Sequence, residues 1–582
     1  MIKFNNFSYS FPQKDLYDNI SFTLKDGDHC AFIGVSGSGK STLVDIIMYP
    51  EKYMFLGDLE IAPDFKAGYV SQFSQLDKTK EATVFEYIGA ECIQMQNKLT
   101  AICTEMETST DLDALMAQYQ ETLDAFDAIG GNDFESNINK KLNLADLSKQ
   151  KDQLISQLSG GQFKLIQVIK EMLNNPDLMI MDEPDVFLDF ENLNALKNLI
   201  NAHKGSLLII THNRYLLNHC FNKILHLENK ELQEFDGTYI DYNFSLLENK
   251  IELQELATAD TEEIERNEQI INNLRGRATN VADAAMGKSL KARVKIQERL
   301  EARRIKAPFV AIKQPDIHFD LEPITEETTA IKVSDYSVSF DELLLEKVNF
   351  EIKSTDKVAI IGANGTGKTT LLREIFKNKN ASIEISEGTN IAYLSQLQGE
   401  TLNEDHTIMD EFLEAGFKTY EEVITYLLGY GFEKDILNQK IGSLSGGEKN
   451  ILQLAKISTS GANMLLLDEP TSHLDTYSQI ALEKAIENYN GGILMVSHDF
   501  YSIVNCMDFV LIIENQTVRK TNMKKFKKLI YAKHFDRDYL ELEEKKKAVE
   551  VKIELALKEN DFEQAKVLSE QLEILITLFK IT

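Results

Sequence analysis

Short apolar runs that end in chemistry-bearing residues punctuate both halves of the chain. Cys30-Ala31-Phe32-Ile33 runs into a glycine-rich stretch at Gly34, Leu178-Met179-Ile180-Met181 ends on Asp182-Glu183, and Ile209-Ile210 stops just before His212. The second half repeats the pattern: Val358-Ala359-Ile360-Ile361 precedes Gly362, Met464-Leu465-Leu466-Leu467 precedes Asp468-Glu469, and Met495-Val496 precedes His498. Continuous apolar runs of this length predict buried strands, and their alternation with helical segments predicts an α/β fold. Three other stretches look different. Residues 81–140 read as helix, with Ile88, Cys92, Leu99, Ile102 and Met106 at helical spacing. Residues 239–306 contain no proline and predict two long helices with a break between Gly276 and Gly287. The first, 242–275, would be about 50 Å long at roughly 1.5 Å per residue. Its apolar positions (Leu253, Leu256, Ile264, Ile271, Leu274) form a thin seam rather than a core face. The return helix carries Leu290/Val294 and Ile296/Leu300 as i,i+4 pairs. Residues 307–327 contain Pro308 and read as an irregular return strap, and the last stretch predicts a helical pair, 536–559 and 561–580, turning at Asn560-Asp561.

The glycine-rich stretch Gly34-Val35-Ser36-Gly37-Ser38-Gly39-Lys40-Ser41 is a complete GxxxxGKS between a strand-like run and a helical segment, the context a P-loop requires. Glycines let backbone N–H groups wrap phosphate oxygens, and the next helix adds its N-terminal dipole. Lys40 would reach the β/γ phosphates and Ser41 would hold Mg²⁺. The same motif returns as Gly362-Ala363-Asn364-Gly365-Thr366-Gly367-Lys368-Thr369, 328 residues later. Four further marks repeat in order. Tyr69-Val70-Ser71-Gln72 pairs with Tyr393-Leu394-Ser395-Gln396 at an offset of 324. Leu158-Ser159-Gly160-Gly161-Gln162 pairs with Leu444-Ser445-Gly446-Gly447-Glu448, Asp182-Glu183 with Asp468-Glu469, and His212 with His498, all at 286. Five ordered marks establish a duplication. From Gln72 to Ser159 is 87 residues and from Gln396 to Ser445 is 49, so the first copy carries an extra 38 between those marks.

The domain plan that follows is 1–238 for the first copy with a helical insertion at about 81–140, 239–306 for the linker and 307–330 for the strap. Residues 331–523 are expected to form the second copy, and 524–582 a C-terminal helical extension. A chain of 582 residues has room for all of them. The net charge is −30, yet between Arg275 and Lys306 ten Lys/Arg face three Asp/Glu, a local +7 that leaves −37 for the rest. An acidic protein that gathers positive charge on one helical hairpin points to a phosphate-contacting probe, against the plainer reading of a solvated spacer. The five cysteines show no metal spacing and fit reduced thiols in a cytoplasmic protein. The N-terminal residues lack a signal-peptide pattern, and no apolar run approaches the ~20 residues of a membrane span.

P-loop, glutamine loop, LSGGQ signature, Asp-Glu pair and switch histidine in this order resemble the ATP-binding cassette ATPases. Two cassettes in one chain with a charged helical linker and no membrane domain resemble the ABC-F subfamily, as does Glu469-Pro470-Thr471-Ser472-His473-Leu474-Asp475. The fold implied is two tandem ABC-type P-loop ATPase domains joined by a long helical hairpin, a monomer whose cassettes dimerise internally. In the family each P-loop faces the signature of the other cassette. The resemblance therefore implies one ATP site from Gly34, Gly37, Gly39, Lys40, Ser41, Thr42 and Gln72 with Ser445, Gly446 and Gly447. The second would use Gly362, Gly365, Gly367, Lys368, Thr369, Thr370 and Gln396 with Ser159, Gly160 and Gly161. It further implies adenine stacking on Phe11 and Phe340, Mg²⁺ held by Ser41, Gln72 and Asp182 or by Thr369, Gln396 and Asp468, and catalysis by Glu183, Glu469, His212 and His498. Arg275, Arg277, Lys288, Lys291, Arg293, Lys295 and Arg299 would contact RNA of the bacterial 70S ribosome, 23S rRNA or tRNA. The acidic arm (Glu105, Glu107, Asp111, Asp113, Glu121, Asp124, Asp127) would favour basic ribosomal proteins.

The first cassette departs from the pattern, with Asp185-Val186-Phe187 where the second has Thr471-Ser472-His473, so the two sites are expected to be unequal. The small, apolar linker tip (Ala278, Val281, Ala282, Ala284, Ala285, Met286) resembles members that protect ribosomes from drugs acting at the peptidyl-transferase centre, especially phenicols and oxazolidinones. A housekeeping translation factor is the alternative. A transporter subunit lacks such a linker, and a DNA-repair ATPase would carry zinc-type cysteine pairs or long coiled coils inside the cassette, so neither membrane nor DNA is expected as a partner.

Overall fold

The computed structural model describes residues 2–11, 14–63, 65–72, 81–107, 112–186, 188–278, 293–297, 315–319, 321, 327–340, 343–534 and 537–581. They form two compact units, one made of Met1–Thr238 with Gln314–Lys528, the other of Tyr239–Lys313 with Leu529–Thr582.

In the first unit each cassette is built on a six-stranded sheet. The order in the first cassette is Ala67–Val70, Leu178–Asp182, Ser206–Ile210, His29–Gly34, Lys223–Glu228, Glu231–Asp236, and all neighbours are parallel except the last pair. The second repeats it with Ile391–Leu394, Met464–Asp468, Gly492–Val496, Lys357–Gly362, Phe509–Glu514 and Thr517–Asn522. The central strands are apolar throughout because helices cover both faces, which is why they show no alternation in sequence. A three-stranded antiparallel sheet flanks each: Lys14–Leu24, Ile2–Phe11 and Leu56–Ile61, then Leu343–Lys353, Thr329–Ser339 and Ile383–Ile385. These sheets do alternate, and their inner rows, such as Phe4, Phe7, Tyr17 and Phe22, pack against Leu43 and Ile46 of the P-loop helix and Phe32 of the parallel sheet. The P-loop is thereby clamped between two sheets.

The arm is four helical segments rather than one run: Val84–Ile88, Ala90–Met106, Leu112–Ala128 and Phe134–Leu144. On Ala90–Met106 only Ile102 is buried, so the apolar spacing there overstates its core face. The strap is partly cassette. Ile317 and Phe319 are buried, the Phe319 ring meets Tyr489 edge-on at 5.8 Å, and the Asp316 N–H donates to the Gly429 carbonyl at 2.8 Å.

The second unit joins two stretches that the sequence reading kept apart. The linker helix Tyr239–Ala278 packs against a pair formed by Arg537–Lys558 and Phe562–Ile581. The seam uses Ile240, Phe244, Leu247 and Ile251 against Ile553, Leu557, Leu568, Leu572 and Ile576. It starts earlier in the helix than the sparse seam expected from sequence. Of that seam Ile271 is buried and Leu256 is exposed. Further along, the buried Asn267 donates to the Gln297 side chain at 2.7 Å and to the Arg293 carbonyl at 3.2 Å.

Candidate functional site

Each P-loop leaves its strand at a glycine and ends at a glycine in left-handed backbone, Gly39 (φ 104°) and Gly367 (φ 90°), which N-cap the helices Lys40–Met48 and Lys368–Lys377. A side chain at either φ would be strained, so the loop can turn its N–H groups inward only with glycine there. Lys40 is buried, and its ammonium donates to the carbonyls of Gly34 (2.9 Å) and Val35 (3.0 Å). Lys368 does the same with Gly362 and Ala363, both at 2.9 Å. Burial lowers both ammonium pKa values, opposed by Glu183 and Glu469 respectively. Ser41 bonds Asp182, and Thr369 Oγ1 donates to Asp468 Oδ1 at 3.1 Å. Thr42 lies one residue on, bonded to the Tyr17 hydroxyl, and Thr370 lines a cavity of about 450 Å³ with Lys368 and Gln396.

A hydroxyl beside a buried carboxylate is the hard-oxygen pair a magnesium ion takes, so the residues present fit Mg²⁺ at both loops. Burial raises the Asp182 pKa and pushes Asp468 up to about 6.

Glu183 and Glu469 both hold left-handed backbone, φ 44° and 51°, and their N–H groups donate to Ile210 O and Val496 O, each at 2.9 Å. Non-glycine residues adopt that region rarely and at a cost, and here the next strand fixes it. His212 and His498 follow those strands. Burial drives their pKa values down to about 4 and about 3, with Lys40 and Lys368 adding, so both imidazoles are neutral at pH 7. The glutamates differ. Burial pulls Glu183 upward, but a hydrogen bond from His473 and nearby His212 and Lys40 outweigh it, and its carboxyl lies below the ordinary range. Burial pushes Glu469 up to about 8, against Lys368 and with Asp468.

The signatures open helices Gly160–Leu173 and Gly446–Ser458 through capping boxes, Ser159 with Gln162 and Ser445 with Glu448. Ser36 of the first P-loop lies 3.3 Å, Oγ to Oγ, from Ser445. A Cβ on Gly447 would fall 2.6 Å from Ser36 Oγ, so only glycine allows that approach. In the other site, Gly160 lines the same cavity as Gly365, Lys368 and Thr369. The structure thus brings each P-loop to the opposite signature. Phe11 (44% exposed) ends its strand and Phe340 (71% exposed) follows the last residue of its own, both outside the core.

Sequence reasoning missed four side chains. Asp189 and Asp475 cap helices Phe190–Ala202 and Thr476–Asn488, and the second oxygen of Asp189 accepts from the Asn364 N–H of the opposite P-loop at 3.1 Å. Lys164, buried in the first signature helix, donates to the Ser71 and Gln72 carbonyls. Its partner in charge is Asp185, so the departure at 185–187 has a counterpart at 164. Arg214 pairs with Glu483 and, at 3.0 Å, with Asp499 of the second cassette. The 286-residue offset was the available signal: Asp189 and Asp475 are equivalent, whereas Asn450 and Phe500 stand at the positions equivalent to Lys164 and Arg214.

Of the linker cations, Lys295 is exposed, and Arg293 donates to the Asn267 side chain at 3.3 Å. Arg275 and Arg277 fall on the described helix. Lys288, Lys291 and Arg299 lie outside the described residues, as does the tip beyond Ala278, which ends the described helix.

Fold and site together define a pair of P-loop nucleotide-binding cassettes with composite sites. The ABC transporter family model matches residues 17–186 and 345–472. ABC transporter F family member 5 of Arabidopsis thaliana is 30% identical over 528 residues, covering 88% of this chain and 75% of that protein. The energy-dependent translational throttle protein EttA of Escherichia coli (strain K12) is 28% identical over 502 residues, 84% of this chain and 87% of that protein. A solved model of ribosome-bound archaeal Pelota and ABCE1 shares the fold, with a TM-score of 0.56 at 15% identity over 90% of this chain and 80% of that one. The chain belongs to the ABC ATP-binding cassette family, in its tandem-cassette, F-type branch. Among the described residues no helix is long and apolar enough to cross a membrane.

Proposed function

We propose that the chain is an ATP hydrolase that acts on the bacterial 70S ribosome in the cytoplasm and protects its peptidyl-transferase centre from antibiotics. The meeting of Ser36 and Ser445 carries the hydrolase reading, because it sets a P-loop against the opposite signature. Glu183 and Glu469 polarise the attacking water, neutral His212 and His498 contact the γ-phosphate, and signature N–H groups complete its coordination. Phe11 and Phe340 take the adenine. Magnesium, when bound, neutralises charge on the β- and γ-phosphates. Binding of ATP closes the cassettes and hydrolysis releases them.

The ribosome reading is supported by the likeness to EttA, whose name assigns it to translation, and by the ribosome-bound relative of the same fold. The basic linker contacts rRNA or tRNA phosphates, and the tip acts beside the catalytic centre. Expression in a sensitive host should reduce susceptibility to phenicols and oxazolidinones. Shortening 278–285 should abolish that protection while ATPase activity and ribosome sedimentation persist. Unchanged susceptibility with ATP-dependent sedimentation would favour the second reading, a housekeeping translation factor, which the EttA likeness also supports.

A further inference from the structure

The composite site built on the first P-loop contains a side chain from the other cassette, supplied by the Glu469-Pro470-Thr471-Ser472-His473-Leu474-Asp475 segment. His473 belongs to the second cassette, four residues beyond its own Glu469. Its ring nitrogen Nδ1 nevertheless lies 3.2 Å from Oε2 of Glu183 and 3.2 Å from Nε2 of Gln72, both of the first cassette. Gln72 Nε2 in turn donates to the same Oε2 at 2.6 Å. An ionised carboxylate offers only acceptors, so the bond to Glu183 takes the tautomer with the proton on Nδ1, in which the approach to Gln72 Nε2 is a contact between two donors that share the same oxygen and not a bond. Two N–H groups, one from each cassette, therefore converge on one oxygen of Glu183. That fixes the carboxylate plane and leaves Oε1 for the attacking water.

The local backbone is built to present this ring. His473 sits in left-handed backbone, φ 61°. The turn around it is held by Asn450, whose side chain donates to Pro470 O at 3.0 Å and Ser472 O at 2.8 Å. Signature residue Gly446 lies directly against the ring; a Cβ there would stand 3.3 Å from its Cγ. The His473 carbonyl packs closer still on Gly447, where a Cβ would stand 2.6 Å from it. One residue thus touches the signature of its own cassette and the glutamate of the other.

Among the described residues the opposite site shows no such contact. The position 286 residues before His473 is Phe187, which has no group to donate, and the counterpart of Asn450 is Lys164, whose ammonium goes to the Ser71 and Gln72 carbonyls instead. Glu469 takes its hydrogen bond from within its own cassette, the His498 N–H at 3.2 Å from Oε2.

We propose that His473 is a positioning residue for hydrolysis at the first site, aiming Glu183 from across the cassette interface only when the second signature is docked. This rests on the reading of Glu183 and Glu469 as the hydrolytic glutamates. It gives the inequality of the two sites a direction: the first site is coupled to closure through a side chain, and the second is not.

Single-site backgrounds test it. Glu469→Gln leaves the first site and Glu183→Gln the second, and steady-state ATPase kinetics are measured in each with thermal midpoints as the folding control. In the first background His473→Leu should lower kcat about 10–100-fold, the size of one hydrogen bond to a charged group, with KM within about twofold. His473→Asn, which tolerates left-handed backbone and keeps an N–H donor, should recover most of that loss. In the second background the Leu loss should be at least about fivefold smaller. The proposal is overturned if His473→Leu keeps first-site kcat, if Leu and Asn lose equally, or if both backgrounds fall alike. Turnover surviving in the Glu183→Gln, Glu469→Gln double variant would sink the reading of the glutamates and the proposal with it. Loss there, with no sensitivity to His473, would sink the proposal alone.

Discussion

At the scale of single residues, paired devices organise both sites. Asp189 serves two masters, capping its helix at Asn192 and accepting from Asn364 of the opposite P-loop. Asp189→Ala should cost about 1 kcal/mol through the lost cap and should weaken ATP binding at the second site selectively, measured by nucleotide titration with the first P-loop disabled by Lys40→Ala. A loss of binding confined to the first site would contradict the assignment. Residues of this kind explain what sequence could show. The P-loops, the signatures and both Asp-Glu pairs were legible because each needs a fixed residue type at a fixed spacing beside a buried strand. Asp189 and His473 were not, because their meaning lies in which residue of the other cassette they meet, and no local period records that.

At the scale of elements, two packings were hidden for a related reason. The parallel strands announce themselves as apolar runs, but the seam joining the linker helix to the C-terminal pair needs only four positions, Ile240, Phe244, Leu247 and Ile251, in a helix otherwise rich in charge. A fully buried leucine such as Leu572 is where that packing should be felt: Leu572→Ala should cost about 2–5 kcal/mol, read as a lowered unfolding transition of the helical unit. A change under about 0.5 kcal/mol, the size of an ordinary surface substitution, would mean the seam is not a core. Between the cassettes, the largely covered Arg214 pairs with the buried Glu483 and with Asp499. Arg214→Leu strands two carboxylates inside the interface and should cost roughly 3–5 kcal/mol of closure, seen as weaker ATP-dependent compaction in small-angle scattering. Unchanged compaction would show that the cluster is incidental.

At the scale of the whole molecule, the acidic chain carries a basic stretch on its linker, ten Lys/Arg against three Asp/Glu between Arg275 and Lys306, and places its chemistry at the interface of two cassettes that one polypeptide always presents to each other. Closure then depends on nucleotide rather than on concentration, since the partners are already joined. The central claim is that ATP holds the two composite sites shut and that hydrolysis by Glu183 and Glu469 opens them on the ribosome. The most direct measurement is sedimentation of the Glu183→Gln, Glu469→Gln variant with 70S ribosomes in ATP and in ADP, alongside its ATPase rate. The account predicts turnover reduced by about 10²-fold or more and retention on ribosomes in ATP but not in ADP. Near-normal turnover, or sedimentation indifferent to nucleotide, would contradict it.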